Sequence, residues 1–277
     1  MNLDDKTIFI TGSTDGVGRV VALRLAEAGA EVLVHGRDSV RGESLLAEMR
    51  AKGNDKGRFY RADLASLAET RSLAETVTRN HPRLHVLINN AGLGSGPRRN
   101  ERSTSRDGHE LRFAVNYLSG FLLTHLLLPL LTKSVPARIV NVASLGQQPL
   151  DFADVMLTRS YDGGRAYSQS KLAQIMFTFD LARGLAGSGV TATALHPATY
   201  MATTMVRQSG VAPMSSTEEG AEAILNLAIA PARAAETGVF YNGLSPARAN
   251  AQAYDEKARA QLRRLSRELT GLSEASP

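Results

Sequence analysis

A tyrosine and a lysine four residues apart, Tyr167 and Lys171, are the residues whose types and spacing most directly indicate chemistry. On a helix, positions i and i+4 lie on one face, so the lysine ammonium group could hold the phenol hydroxyl ready to give or take a proton. Far upstream runs a glycine-rich segment, Thr11-Gly-Ser-Thr-Asp-Gly16-Val-Gly18, and such a turn can hold a dinucleotide. Together they indicate hydride transfer to or from a carbonyl carbon, with the tyrosine handling the proton. The alternative for the pair is a surface contact on an amphipathic helix.

The glycine-rich segment follows an apolar strand and opens a helix, which is the context that cofactor binding requires. Glycine allows a tight turn and close approach of the pyrophosphate, and the helix N-terminus supplies free N–H groups and the positive end of its dipole. The spacing is G-x-x-x-G-x-G, and an ordinary tight turn is the alternative. The predicted cofactor contacts in this segment are Gly12, Ser13, Thr14, Asp15, Gly16, Val17 and Gly18.

The end of the second predicted strand bears on the choice of cofactor. NAD binding usually needs a carboxylate there for the ribose 2′-hydroxyl, whereas NADP needs a cation for the 2′-phosphate. Gly36 occupies the expected carboxylate position and Arg37 follows it; arginine can bind phosphate through two hydrogen bonds. Asp38 complicates this interpretation, and its alternative role is to cap the next helix. The sequence favours NADP(H) over NAD(H).

Apolar strands alternate with helical periods along the chain. This alternation predicts an α/β fold: one Rossmann-like, doubly wound parallel sheet of about seven strands, in a single domain over residues 1–277. The predicted strands are 7–10, 31–34, 58–60, 86–89, 138–142, 190–195 and 239–241. The predicted helices after the glycine turn are 39–52, 67–79, 108–131, 167–185, 216–230 and 255–269. Two irregular stretches, 146–164 and 197–215, follow strand ends and are the expected substrate rim and lid.

Composition narrows the functional classes. The 277-residue chain is 43% hydrophobic, has no cysteine and carries a net charge of +5. Its charges are scattered, and the densest cluster predicts a solvated loop rather than a nucleic-acid site: Arg98, Arg99, Arg102 and Arg106. His196 has no second ligand at metal-binding spacing, so no metal is expected.

Localisation follows from two segments. The N-terminus lacks the basic start and long apolar run of a signal peptide. The segment 113–131 is apolar, but it contains Asn116, His125 and Pro129 and fits a buried helix better than a membrane span. A cytoplasmic protein without a membrane span is therefore expected.

Further motif residues are spread over nearly the whole chain: Asp63, Asn89-Asn90-Ala91-Gly92, Asn116, Ser144 and His196-Pro197, besides the glycine turn and Tyr167-x3-Lys171. With these residues the chain resembles the short-chain dehydrogenase/reductase family. It looks most like the branch that holds retinol dehydrogenases and protochlorophyllide-reductase-like oxidoreductases. That closer likeness depends on His35-Gly-Arg-Asp38, Arg165-Ala-Tyr-Ser-Gln-Ser-Lys-Leu-Ala173, Ala253-Tyr-Asp and Glu268-Leu-Thr-Gly-Leu272.

The resemblance implies roles for four catalytic residues. Tyr167 would be the general acid/base, and Ser144 would hydrogen-bond the substrate oxygen. Lys171 would hold the nicotinamide ribose and, with the oxidised nicotinamide, lower the pKa of Tyr167. Asn116 would bend its helix and bind water in a proton relay, with a turn or cap role as the alternative.

The resemblance also implies cofactor contacts beyond the glycine turn and Arg37. Asp63 would meet adenine, with the same turn-or-cap alternative, and Leu64 lies beside it. The remaining predicted contacts are Asn90, Ala91, Gly92, Tyr167, Lys171 and Pro197. One departure concerns the segment after Pro197, where the family often has a threonine that touches the carboxamide. Here Ala202 takes that position and Thr203 comes one residue late.

These observations predict an NADP(H)-dependent oxidoreductase that acts on the alcohol/carbonyl pair of an apolar, mid-sized molecule. One alternative is a regulator that senses NADP without turnover; such proteins usually lack the reactive tyrosine. Another is epimerisation or dehydration, which normally needs a larger C-terminal substrate domain. The oligomeric state is left open, although members of the family often form homodimers or homotetramers.

Overall fold

Eight β-strands form one sheet in the computed structural model, which describes residues 2–96 and 100–273. The strand order is β3-β2-β1-β4-β5-β6-β7-β8; all neighbours are parallel except the antiparallel pair β7–β8. The strands are β1 (Thr7–Ile10), β2 (Glu31–Gly36), β3 (Arg58–Arg61), β4 (Val86–Asn89), β5 (Ala137–Val142), β6 (Val190–His196), β7 (Val239–Asn242) and β8 (Ser245–Ala247). The doubly wound α/β prediction is confirmed.

The predicted count of about seven strands omits β8. This strand has only three residues, Ser-Pro-Ala, and two of them are exposed. Such a segment has no alternation of apolar and polar residues for a sequence pattern to detect. It pairs at the edge of the sheet, where a strand proline is tolerated because no ladder hydrogen bond is lost on the open side.

Helices cover both faces of the sheet. One face packs against α1, α2 and α7 through an apolar cluster that includes Val21, Leu45 and Ile224. The opposite face packs against α3, α4, α5 and α8. The helices are α1 (Gly16–Glu27), α2 (Ser39–Ala51), α3 (Leu67–Asn80), α4 (Ser119–Thr132), α5 (Gly163–Gly184), α6 (Thr204–Gln208), α7 (Thr217–Ile229) and α8 (Glu256–Thr270).

The long predicted helix 108–131 begins later than expected. Gly108 has φ +82°, a left-handed conformation that does not continue a helix. A π-helical segment, Phe113–Leu118, leads into α4. Among the described residues, Phe113–Thr132 is the one stretch long and apolar enough to cross a membrane, and most of it is buried inside the protein. The absence of a membrane span stays a prediction.

Capping residues set several helix starts. Ser216 accepts a hydrogen bond from the backbone N–H of Glu219, as the predicted capping pattern requires. Helix α5 begins at Gly163, four residues before the predicted start, because the side chain of Asp162 caps it. The two consecutive glycines at 163–164 favour a loop by propensity, and the cap overrides them.

Two segments frame the carboxyl ends of the strands. Residues 146–162 stay irregular but are tied to the C-terminal region, since Gln147 Oε1 accepts from Asn250 N and Gln252 Oε1 accepts from Leu150 N. Residues 197–215 contain the short helix α6 and close on themselves through a bridge between Met201 and Ser215.

Candidate active site

The sheet reverses its winding direction between β1 and β4, which are neighbours although β2 and β3 lie between them in sequence. In open α/β sheets ligands bind at such a point, outside the carboxyl ends of the strands. The predicted site residues follow these ends: the glycine turn after β1, Arg37 after β2, Asn90 after β4 and Ser144 after β5. The structure therefore brings together the residues that the sequence analysis singled out.

Two glycines of the turn have no room for a side chain. A Cβ at Gly12, where φ is +63°, would lie 2.8 Å from the Ala91 Cα. A Cβ at Gly18 would lie 2.5 Å from Asn90 Nδ2, which donates to the carbonyls of Thr11 (2.9 Å) and Gly12 (3.0 Å). Asn90 thus holds the turn against the end of β4. The first turn of α1 leaves N–H groups without partners inside the helix, so the turn fits a pyrophosphate.

His35 supports the same turn from beneath. Its Nδ1 accepts from Gly12 N at 3.1 Å, and its Nε2 lies 3.2 Å from the carbonyl oxygen of Ala62. Burial lowers the pKa of His35 to about 4, so the neutral ring accepts at Nδ1 and donates at Nε2. In the sequence, His35 contributes only to the resemblance to the retinol dehydrogenase branch. Its position at the end of an apolar strand does not predict these two hydrogen bonds.

The other residues of the glycine turn make contacts within the protein. Ser13 Oγ donates to Ile10 O at 2.9 Å and accepts from His35 N, and Val17 packs in the core. Asp15 caps α1 through Gly16 N and forms an ion pair with Arg41 at 3.0 Å. The sequence predicted direct cofactor contact for all of these residues, and that contact stays a prediction.

The Thr14 side chain occupies the space that a carboxylate side chain at position 36 would need. A Cβ at Gly36 would lie 2.5 Å from the Thr14 Oγ1 and 2.7 Å from its Cγ2. Arg37, next along the chain, is exposed. Asp38 caps α2 by accepting from Arg41 N at 3.1 Å, as its alternative role predicted.

The residues predicted to meet adenine lie after β3. Asp63 Oδ1 accepts from Ala65 N at 3.0 Å, and Asp63 Oδ2 lies 3.9 Å from the guanidinium of Arg106. This is the turn role offered as the alternative for Asp63. Leu64 is buried. Of the arginine cluster, Arg102 donates to Met156 O and Arg106 pairs with Glu69 at 2.6 Å; Arg98 and Arg99 lie outside the described residues.

Ser144 and Tyr167 meet beside the end of β5. Ser144 Oγ and Tyr167 Cε1 each lie 3.5 Å from a Cβ built at Gly146, and Ser144 Oγ accepts from Gly146 N at 3.0 Å. The Lys171 ammonium lies 5.9 Å from the centre of the Tyr167 ring. Two hydroxyl groups and one amine therefore converge where a carbonyl oxygen could be held.

Burial dominates the electrostatics of this group. It raises the pKa of Tyr167, and the polar side chain of Ser144 opposes the rise. It lowers the pKa of Lys171 to about 7. The lowering of the tyrosine pKa by Lys171 together with an oxidised nicotinamide stays a prediction; within the protein, the lysine donates to Val142 O (2.8 Å) and Gln174 Oε1 (2.9 Å). Gln174 was missed, although its place three residues after Lys171 put it on the same helix face.

Asn116 ties the π-helical segment to the strand ends. Its Oδ1 accepts from Leu93 N at 2.7 Å, and its Nδ2 donates to Leu93 O at 3.0 Å and to Ser170 Oγ at 2.9 Å. Asn116 lies within the π-helical segment Phe113–Leu118, and the expected bend of its helix stays a prediction. The water relay is not tested by these contacts and stays a prediction.

The lid residues lie over the glycine turn. Thr203 caps α6 through Val206 N, and its Cγ2 would lie 3.1 Å from a Cβ at Gly16. Thr203, rather than Ala202, therefore stands above the turn. Pro197 begins this segment directly after β6, and Tyr200 adopts a left-handed backbone with φ +43°.

The fold and the site define an oxidoreductase built on a dinucleotide-binding sheet. The model of the short chain dehydrogenase family matches residues 6–212, and the chain belongs to this family.

Curated relatives specify the branch. Retinol dehydrogenase 13 of Homo sapiens is 36% identical over 290 aligned residues, covering 98% of this chain and 86% of the relative. Retinol dehydrogenase 12 of Bos taurus is 35% identical, with coverage of 98% and 88%. The chain thus lies in the retinol-dehydrogenase-like branch of the family.

Solved structures share the fold. An uncharacterized protein from Mycobacterium paratuberculosis aligns with a TM-score of 0.81 and 30% identity, over 98% of this chain and 95% of that one. The Pseudomonas aeruginosa RhlG/NADP active-site complex aligns with a TM-score of 0.72 and 28% identity, over 87% and 95%.

Proposed function

We propose that the protein is an NADP(H)-dependent oxidoreductase that interconverts a carbonyl and an alcohol, with Tyr167 as the acid/base. The observation that carries the proposal is that Ser144 Oγ and the Tyr167 ring both lie 3.5 Å from a Cβ built at Gly146, with the Lys171 ammonium 5.9 Å from the centre of that ring. Family membership supports oxidoreductase chemistry, and this arrangement supports the specific roles.

Ser144 and Tyr167 act on the same substrate oxygen. Ser144 donates a hydrogen bond to it and stabilises the charge that develops there. Because burial raises the pKa of Tyr167, the phenol keeps its proton at neutral pH and can give it to the oxygen of a carbonyl under reduction. The nicotinamide, when bound, supplies or accepts the hydride. Lys171 and the glycine turn hold the ribose and the pyrophosphate.

The preference for NADP(H) rests on the end of β2. Thr14 fills the space beside Gly36, so no carboxylate reaches the ribose 2′-hydroxyl from that position. Arg37 follows and is exposed to a 2′-phosphate. The structural relative at 28% identity, the Pseudomonas aeruginosa RhlG/NADP active-site complex, favours the same cofactor.

Tyr167→Phe tests the acid/base role. The change removes one hydroxyl and leaves the ring, so we expect kcat for carbonyl reduction to fall by about 10²–10⁴-fold. NADPH affinity, measured by fluorescence titration, should stay near that of the wild type. Tyr254→Phe, at an exposed tyrosine outside the candidate active site, serves as the matched control. Reduction at the wild-type rate in Tyr167→Phe would refute the assignment.

Arg37→Ala tests the cofactor preference. Loss of a charged hydrogen bond to the 2′-phosphate should weaken NADPH binding by roughly 10–100-fold, whereas NADH binding should hardly change. Arg50→Ala, at the exposed end of α2, controls for the loss of a surface charge. Equal losses for the two cofactors would reject Arg37 as the phosphate ligand.

The substrate is best sought among apolar carbonyl and alcohol compounds. Curated relatives are named for retinol, an apolar alcohol, so a panel should include retinal beside shorter aldehydes and ketones. NADPH absorbance reports turnover, with NADH as the control. We further propose a cytoplasmic protein that neither spans a membrane nor binds nucleic acid.

A further inference from the structure

A cavity of about 330 Å³ lies between α5, α8 and the Phe113–Thr132 helix, away from the candidate active site. It adjoins the C-terminal half of α5, where Asp180 is thirteen residues beyond Tyr167, or roughly 20 Å along the helix axis. Its volume is at the lower end of the range for ligand pockets, about 300–1,000 Å³. None of the roles proposed above uses this cavity.

The floor of the cavity is apolar and aromatic. Phe121, His125 and Phe177 form a ring cluster with centroid distances of 4.3, 5.1 and 5.7 Å. His125 Nδ1 is bonded to Phe121 O at 2.8 Å, and burial lowers the pKa of His125 to about 4. The ring is therefore neutral and belongs to the apolar surface. Met176, Leu181 and Leu262 complete the floor.

The rim is rich in arginine. Three guanidinium groups share the buried carboxylate of Asp180: Arg259 at 3.1 Å, Arg183 at 3.5 Å and Arg263 in closer contact. Glu256, which is largely exposed, adds a second carboxylate 3.4 Å from Arg183. These three guanidinium groups thus face two carboxylates among the described residues, and Arg267 also lines the cavity.

We propose that this cavity binds a small amphiphilic anion, such as a medium-chain acyl carboxylate. Its apolar chain would cover the Phe121 and Phe177 rings, and burial of that surface drives binding. Its carboxylate would meet guanidinium groups that Asp180 neutralises only in part, and arginine matches carboxylate geometry. The site is separate from the cofactor turn, so NADPH and the anion bind together.

Gly184 provides a test that spares the folded core. This helical glycine lines the cavity, and a Cβ built there meets nothing within 4 Å. Gly184→Trp therefore places a large ring in free space, and Gly184→Ala, which leaves the cavity open, is the matched control. Both substitutions should favour the helix over glycine.

Isothermal titration of the NADPH-saturated full chain with sodium decanoate measures the binding. We expect decanoate to bind the wild type and Gly184→Ala alike, and Gly184→Trp about tenfold or more weaker. Arg263→Gln should weaken binding by about fivefold, and decylammonium should bind the wild type at least roughly tenfold less tightly than decanoate. NADPH affinity should be the same in all variants.

Four outcomes would overturn the proposal. The first is no binding of decanoate by the wild type, and the second is binding that Gly184→Trp leaves intact. The third is equal affinity for decylammonium, which would reduce the contact to non-specific apolar binding. The fourth is a dimer in light scattering that Gly184→Trp converts to a monomer, which would assign this face to contact between copies of the chain.

Discussion

At the scale of single residues, the active site depends on a lysine whose ammonium group is kept out of water. Lys171 is 4% exposed, and within the protein its amine meets two neutral acceptors, Val142 O and Gln174 Oε1. Burial alone lowers the pKa of Lys171, and no carboxylate contributes to the change. A lysine held this way is close to losing its proton at neutral pH, so small changes around it alter its charge.

The pKa of Lys171 predicts how stability depends on pH. Its folded value of about 7 lies below the unfolded value, so between these values the unfolded chain binds one proton more than the folded one, and stability rises with pH. Relative to Lys171→Met, the wild type should therefore gain about 1.4 kcal/mol per pH unit from about pH 7 to pH 10. Urea unfolding at several pH values measures the difference.

Lys133→Met is the control for this experiment. Lys133 is exposed at the end of α4, and its ammonium stays in water whether the chain is folded or unfolded. The difference in free energy of unfolding between Lys133→Met and the wild type should not change over the same pH range. A flat difference for Lys171→Met as well would show that the buried amine does not lose its proton in this range.

At the scale of elements, the proposed cofactor preference depends on a contact between the ends of β1 and β2. Thr14, in the turn after β1, lies over Gly36, the last residue of β2. The parallel register pairs Ile10 with Val34, which brings the two strand ends level. The proposed cofactor preference would thus be a property of two adjacent elements, so that a change in one requires a change in the other.

This contact predicts a paired substitution. Gly36→Asp alone should collide with Thr14, lower stability by about 1–3 kcal/mol and weaken both cofactors. With Thr14→Ala added, the clash with Oγ1 and Cγ2 is removed and the new carboxylate can reach a ribose 2′-hydroxyl. We expect the double variant to prefer NADH, reversing the wild-type order by about tenfold or more.

Thermal unfolding and cofactor titration of the four proteins test the pair. Thr14→Ala by itself should keep the preference for NADPH, because Gly36 and Arg37 are unchanged. If Gly36→Asp is as stable as the wild type, the packing argument fails. If the double variant still prefers NADPH, Arg37 outweighs the carboxylate.

At the scale of the whole molecule, the sequence predicted what depends on local pattern. The first seven strands and the helices between them follow apolar periods and caps such as Ser216 with Glu219. The candidate catalytic and cofactor-binding residues lie close together because the carboxyl ends of parallel strands meet at one edge of the sheet. Tyr167, Ser144 and the glycine turn were therefore predictable without tertiary information.

Contacts between distant segments could not be predicted in this way. The bonds of His35 to Gly12 and Ala62 need three strand ends in register. Burial raises the pKa of Tyr167, and the sequence does not give the depth of burial; the lowering expected from Lys171 with a bound oxidised nicotinamide stays a prediction. The ties of Gln147 and Gln252 across about a hundred residues leave no local signal.

Three such distant segments meet over the carboxyl edge of the sheet in a buried charged network. Arg112 donates to the carbonyls of Gly94 (2.8 Å) and Ser95 (2.7 Å) after β4, and it pairs with Glu110 at 3.4 Å. Tyr161, from the substrate rim, donates to Glu110 at 3.0 Å and accepts from Arg112. The network joins the rim to the segment beside the cofactor turn.

Tyr161→Phe removes one hydroxyl from this network. Glu110 and Arg112 are both buried, so each loses a partner that water cannot easily replace, and stability should fall by about 1–3 kcal/mol. Because the rim is then less firmly held, KM for the carbonyl substrate should rise more than kcat falls.

Tyr254→Phe is the control: it loses a hydrogen bond from Ala249 N at an exposed ring, and stability should fall by about 1 kcal/mol or less. Urea unfolding and steady-state kinetics of the two variants compare them; equal effects in both would mean that the network holds the rim no better than an ordinary surface hydrogen bond.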